Sequence, residues 1–211
     1  MFRLARLLAL AASASLAPCP ASAQSGVRDS VVYVLSRASR FDVKTGKAGL
    51  FGFAGHGHVI RARAFSGRVV YYPTAPADSR VEITVSADSL EVLTPPDTAE
   101  IRKVTAAMRA EVLQVERYPE ITFVSTAVTP IEGGFRVQGN LTIVDHTREA
   151  TVDIAVQVGP DTLRSTGTFA VKQTDFGIKP YRGGPAGTVR VADRVTFEFE
   201  AVAIREETRP S

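Results

Sequence analysis

The chain has 211 residues, 45% of them hydrophobic and 22% charged, with a mean hydropathy of +0.04; this is globular composition and excludes a fibre or a disordered chain. No run approaches the roughly 18 consecutive apolar residues of a membrane-spanning helix. Setting aside Arg3 and Arg6 in the N-terminal segment takes the 25 basic residues to 23 against 22 acidic ones, which leaves no electrostatic footprint for a nucleic-acid partner.

The first segment combines Arg3 and Arg6, an apolar run of 11 residues from Leu7 to Ala17, and the small-residue site Ala21-Ser22-Ala23 before Gln24. These are the three parts of a secretory signal peptide, so the expected location is periplasmic or secreted after cleavage near Ala23. Leu16-Ala17-Pro18-Cys19 has the outline of a lipoprotein box, but Pro18 stands where a small unhindered residue is wanted. Cleavage after Ala23 removes the chain's one cysteine, and with it any disulfide, thiolate metal site or cysteine nucleophile. Residues 24–30 then read as a short tail, 31–205 as one domain and 206–211 as a C-terminal tail.

From Val31 onward the dominant period is two, as a strand with one buried face requires. Weaker runs at 31–36, 39–45, 58–65 and 67–72 lead into Val81–Ser86, where odd positions are apolar and even ones polar. After Pro95-Pro96-Asp97-Thr98 the period changes: Ile101, Val104, Met108, Val112 and Val115 fall at steps of three and four, an amphipathic helix of about four turns with Asp97 or Thr98 as N-cap. Pro119 stops it. Alternation resumes at 120–128, Phe135–Ile143, Val152–Val158, Phe169–Lys172 and Val195–Ala201, punctuated by Gly133-Gly134 and Gly159-Pro160-Asp161. Many strands at short spacing and a single helix predict an antiparallel sheet, and a sheet this large buries its inner face and loses its edges by closing. The expected fold is mainly β: an extended antiparallel barrel of about eight strands with the helix packed on it as a lid.

Three segments carry a resemblance. Arg117-Tyr118-Pro119-Glu120-Ile121-Thr122-Phe123 follows the helix, Gly139-Asn140-Leu141-Thr142-Ile143-Val144-Asp145-His146-Thr147 begins the next strand pair, and Thr174-Asp175-Phe176-Gly177-Ile178 ends a later strand; Phe65-Ser66-Gly67 and Ala87-Asp88-Ser89-Leu90 fit the same order. Over about 33–204 the chain resembles the YceI-like family of secreted lipid-binding proteins. Asp145-His146-Thr147 departs from the Gly-Val-Thr common there. The resemblance implies a lipocalin-like barrel whose apolar lumen holds a long isoprenoid chain, either a polyprenyl phosphate or an isoprenoid quinone, with no cofactor and no catalysis. Alternation then assigns Phe65, Ile83, Val85, Ile121, Phe123, Leu141, Ile143, Ile154, Phe169, Val171, Phe197 and Phe199 to the lumen, with Phe176 expected to plug one barrel end, and Thr122, Thr142 and Glu198 to the outside. The oligomeric state is left open, a homodimer included.

The mature chain offers His56, His58 and His146 for metal chemistry. In extended chain the His56-Gly57-His58 pair presents both rings to one face, and His146 or Asp175 as a third ligand would complete a zinc site. Gly52, Gly55 and Gly57 make the stretch read more like a flexible, solvated turn than a rigid strand. No nucleophile elbow, metalloprotease helix or phosphate-binding loop is present in the sequence. A metal-dependent enzyme and a filled-core barrel acting as an interaction protein are the competing readings. Lys179, Tyr181 and Arg182 before Gly183-Gly184-Pro185-Ala186-Gly187 read as a basic hairpin loop.

Overall fold

The computed structural model describes residues 29–47, 57–93, 98–183 and 189–207. The alternating segments form β1 (Val31–Leu35), β2 (Arg40–Lys47), β3 (Val59–Ala62), β4 (Phe65–Tyr71), β5 (Arg80–Ser86), β6 (Leu90–Val92), β7 (Glu120–Ile131), β8 (Gly134–Ile143), β9 (His146–Val158), β10 (Thr162–Lys172), β11 (Arg182–Gly183) and β12 (Val189–Arg205). All pairings are antiparallel, and the order β1-β4-β5-β7-β8-β9-β10-β12 closes when β12 returns to β1 through Tyr33↔Arg205 to Leu35↔Ala203. This is a closed eight-stranded barrel.

Three of the eight staves are broken. β2, β3 and β6 extend β1, β4 and β5 lengthwise, with breaks at 36–39, at 63–64 and at the 3-10 turn Ala87–Ser89. Alternation in the sequence puts the middle break near residue 66; it falls at Arg63-Ala64. Ser89 Oγ explains why, accepting the Ala64 N–H at 2.9 Å and donating to the Ser86 carbonyl at 2.7 Å, so one hydroxyl satisfies main-chain groups that the interrupted ladder leaves over. The sheet path ends at β6, and the wall between β6 and β7 is filled by the helix instead of a strand.

That helix, α1 (Thr98–Ala107), runs into one π turn at Met108–Val112, where the Leu113 N–H reaches back to the Met108 carbonyl at 2.8 Å. Thr98 is the first helical residue, not a cap outside the helix, and Asp97 lies outside the described residues. The extra residue of a π turn rotates the next side chains about the helix axis. Leu113 consequently joins Met108 in the core although it falls off the stripe of steps three and four; Ile101, Val104, Val112 and Val115 pack around them. Arg109 fastens the turn to the Asp88 carbonyl and carboxylate.

The hairpin between β8 and β9 has two residues, Val144 and Asp145, with φ of 49° and 60° and Ile143↔His146 as the closing pair. Positive φ at both positions is the type I′ geometry that matches strand twist, usually supplied by Asn-Gly. A β-branched residue there is strained. Two contacts hold it: the Val144 side chain is buried in the core at the helix end, and its carbonyl accepts the Nδ1–H of His146 at 2.7 Å.

The outer face of the broken staves carries a charge ladder. Asp42 accepts two hydrogen bonds from Arg61, at 2.7 and 2.8 Å, Arg40 bonds Glu200, Lys44 bonds Glu198, and Arg63 bonds Glu91. Asp42 is 6% exposed, and the Arg61 hydrogen bonds hold its carboxyl below the usual carboxylate range. Arg61→Leu strips that carboxylate of both hydrogen bonds and leaves it only the looser ion pair with Arg40 at 4.0 Å, and a loss of about 2 kcal/mol in stability is expected at neutral pH. Because the folded-state value is depressed, the pair's contribution is complete above the unfolded pKa of about 3.9 and disappears as pH falls through the folded value. Denaturant unfolding from pH 7 to 3 should show the difference between parent and variant flat down to about pH 5 and shrinking below about pH 4. A pH-independent difference contradicts the assignment.

Candidate functional site

Register fixes which side chains point inward. The pairs Ile83↔Phe123, Phe123↔Leu141, Val137↔Val152, Phe135↔Ile154, Phe169↔Phe197 and Phe41↔Phe199 place apolar residues from successive strands on one face of the wall, because directly paired residues share a face. Inside that face lies a cavity of ≈ 270 Å³. It is long. Leu163 and Gln173 both line it from β10 and its end, and ten residues at about 3.3 Å each, on a strand tilted about 40° to the axis, give roughly 25 Å along the barrel.

Twelve of the thirteen residues expected at the lumen from the sequence line this cavity: Ile83 and Val85 from β5, Ile121 and Phe123 from β7, Leu141 and Ile143 from β8, Ile154 from β9, Phe169 and Val171 from β10, Phe176 from the 3-10 turn Gln173–Phe176, and Phe197 and Phe199 from β12. Phe65 is the exception. Its ring meets Phe41 edge-on, centroids 4.9 Å apart at 67°, and Phe41 is the residue that reaches the lumen. Thr122 and Glu198, assigned outward, also border the cavity, although the Glu198 carboxylate is held outside by Lys44. Thr142 bonds the Thr147 hydroxyl on the exposed side at 2.8 Å.

Several lining residues escaped the sequence reading. Phe41 and Val43 of β2, Ile60 and Ala62 of β3, and Met108 and Leu113 at the π turn close the helix end. Two glycines shape the middle: a Cβ on Gly139 would lie 2.5 Å from Phe123 Cζ, and one on Gly167 would lie 2.7 Å from Phe199 Cζ. Each inward glycine lets an aromatic ring from the adjacent strand lie flat across the wall. Phe169 and Phe197 stack at 4.9 Å and 8°.

Most of the inward aromatic and branched side chains, Ile83, Phe123, Ile154, Phe169, Phe197 and Phe199 among them, remain partly accessible. In a close-packed interior they would be sealed. The polar groups on the same wall are few, and Ser79 at one end and Gln173 at the other are already engaged with Tyr72 N–H and the Ala192 carbonyl. The arrangement suits a slender apolar guest.

Among the described residues the candidate metal ligands His58, His146 and Asp175 do not form a ligand set. His56 lies outside the described residues, as does Cys19; the His146 ring is turned to the Val144 carbonyl and packs against Gly177, and Asp175 sits on a separate cleft. Among the described residues no three His, Cys, Asp or Glu side chains form a ligand set. Nor is any helix among them long and apolar enough to cross a membrane.

A family model described as the YceI-like domain matches residues 36–203. The chain belongs to the YceI-like family. Solved structures share its fold. The Burkholderia cenocepacia protein BcnA is 22% identical, with a TM-score of 0.64, over 80% of this chain and 98% of its own. A polyisoprenoid-binding domain from Saccharophagus degradans is 11% identical, with a TM-score of 0.56, over 83% of this chain and 98% of its own. A Campylobacter jejuni YceI protein is 14% identical, with a TM-score of 0.54, over 70% of this chain and 85% of its own. No curated protein sequence matches. In this YceI-like barrel the matched span runs from the break between β1 and β2 to near the end of β12, so it takes in six of the eight staves whole, β12 but for its last two residues, and the β2 half of the first.

Proposed function

We propose that this YceI-like protein binds and carries a long isoprenoid-type lipid, a polyprenyl phosphate or an isoprenoid quinone, with its tail in the barrel lumen, and that it acts without catalysis after export to the periplasm. One observation carries the reading: an apolar cavity running most of the barrel's length, walled by inward side chains that keep accessible surface. That observation also counts against the filled-core reading. The name of the Saccharophagus degradans relative, a polyisoprenoid-binding domain, points to the same ligand class. Export rests on the N-terminal pattern of Arg3, Arg6, Leu7–Ala17 and Ala21-Ser22-Ala23.

The magnitudes select a long guest. Each buried CH₂ contributes roughly 0.8 kcal/mol, while association costs on the order of 4–15 kcal/mol before any net affinity. A short tail in a lumen with so few free polar groups stays weak; a tail of several isoprene units exceeds the cost from hydrocarbon contact alone. The test is mass spectrometry of an organic extract of the purified protein, native and after delipidation and reloading with a polyprenyl mixture. Near-stoichiometric lipid spaced by one isoprene unit is expected. A protein that carries none and retains none after reloading defeats the reading.

A further inference from the structure

The barrel wall has a window. β9 and β10 pair from Val158↔Leu163 to Ile154↔Gly167 and no further. Beyond that point β9 stays on β8 as far as His146↔Ile143, and β10 stays on β12 as far as Lys172↔Arg194. The two strands therefore part, and a second cavity of ≈ 170 Å³ occupies the gap, between Arg148, Glu149, Ala150 and Thr151 on one side and Phe169, Ala170, Val171, Asp175 and Phe176 on the other. It is closed below by the last ladder pair and above by the His146 ring lying on Gly177, whose φ is +69° and whose missing Cβ would sit 2.9 Å from that ring. Asp193 secures the upper rim, accepting from the Thr174 N–H at 2.9 Å and from its hydroxyl at 2.8 Å. Phe169, Val171 and Phe176 line both cavities, so the window lies directly against the lumen with only these side chains between them. Its two strand edges present main-chain donors and acceptors that no ladder uses, which need water or a polar guest.

Arg148 decides the chemistry. It is paired with Leu141, a lumen residue, and so starts on the inner face, in the row continued by Ala150, Val152 and Ile154. With His146 at its upper end on Gly177 and apolar residues from Ala150 onward, the row gives Arg148 no part in closing the wall. Its side chain is exposed through the window, and among the described residues its guanidinium bonds only the Thr147 carbonyl, from Nη1 at 2.7 Å. A guanidinium stays charged and keeps its remaining donors in a planar fork suited to two oxygens. The two carboxylates on the same cavity stand apart from that row: Glu149 pairs with Asn140 and so takes the outer face, and Asp175 is exposed on the turn.

We propose that the window is the head-group subsite of the lumen ligand and that it selects an acidic, oxygen-rich head such as a phosphate monoester, held by Arg148, over a neutral head. The subsite rests on the lumen holding the tail. The test compares geranylgeranyl phosphate with geranylgeraniol, one tail with and without the anionic head, on delipidated parent, Arg148→Gln and Arg148→Lys, with thermal unfolding alongside. The parent is expected to prefer the phosphate by about tenfold or more, the scale of charge-assisted hydrogen bonds. Arg148→Gln should lose that preference while holding the alcohol as the parent does, and Arg148→Lys should keep part of it as a point charge without the fork. An unchanged phosphate-to-alcohol ratio in Arg148→Gln, or equal loss of both ligands, overturns the subsite and leaves the lumen intact. Failure of the parent to bind either ligand overturns the lumen reading, and the subsite with it.

Discussion

Met108→Asp is expected to lower unfolding stability by about 3–5 kcal/mol, the range for a buried charge with no partner. Met108 is 6% exposed and stands at the start of the π turn, packed in one cluster with Leu90, Val92, Leu113, Leu141, Ile143 and Phe176. The nearest cation in sequence, Arg109, is already committed to Asp88. The site matters more than an ordinary surface helix because β6 is the end of the sheet path: here the helix is the wall, and disturbing it opens the barrel between β6 and β7. At about 2–4 °C per kcal/mol for a domain of this size, the melting temperature should fall by about 6–20 °C. Met108→Leu, close in volume, should cost under about 1.5 kcal/mol. If the aspartate variant melts with the parent, the helix is not part of the wall.

The strands were legible because period two survives wherever one face is buried and the other is wet. Phe135–Ile143 and Val195–Ala201 read off directly for that reason. Legibility ended where local geometry departs from the regular period. Leu113 was missed because one extra residue in the π turn moves it onto the buried face, and no propensity announces such a turn. The break at Arg63-Ala64 depends on Ser89, a partner 25 residues away in sequence. The type I′ turn carried no Asn-Gly, since Val144 is kept there by burial and by His146. Phe65 alternates correctly, yet its ring packs edge-on against Phe41, and it is Phe41 that lines the lumen. The parting of β9 and β10 was invisible for a different reason: alternation specifies which face a residue takes, not which neighbour its backbone pairs with.

Ile83→Trp is expected to abolish lipid retention while leaving the delipidated protein about as stable as the parent. Ile83 pairs with Gly67 on one side and Phe123 on the other, in the middle of the wall, and it lines the cavity while keeping accessible surface there. An indole at this position has empty volume to enter, so the strain of about 1–3 kcal/mol that overpacking brings to a filled core should be absent. The tail, however, must pass through that same volume. Leu141 provides the contrast, for it is 4% exposed and packed in the cluster at the helix end; Leu141→Trp should show the overpacking loss as well as weaker binding. Glu198→Gln, whose carboxylate bonds Lys44 on the outer face, should change neither property beyond the small effect of an exposed ion pair, under about 1 kcal/mol. Thermal unfolding of delipidated protein and retention of a labelled polyprenyl analogue, measured together on the three variants, separate an open tunnel from a packed core. In a packed core Ile83→Trp destabilises as Leu141→Trp does and the parent retains nothing, whereas in an open tunnel the two variants share the binding defect and differ in stability.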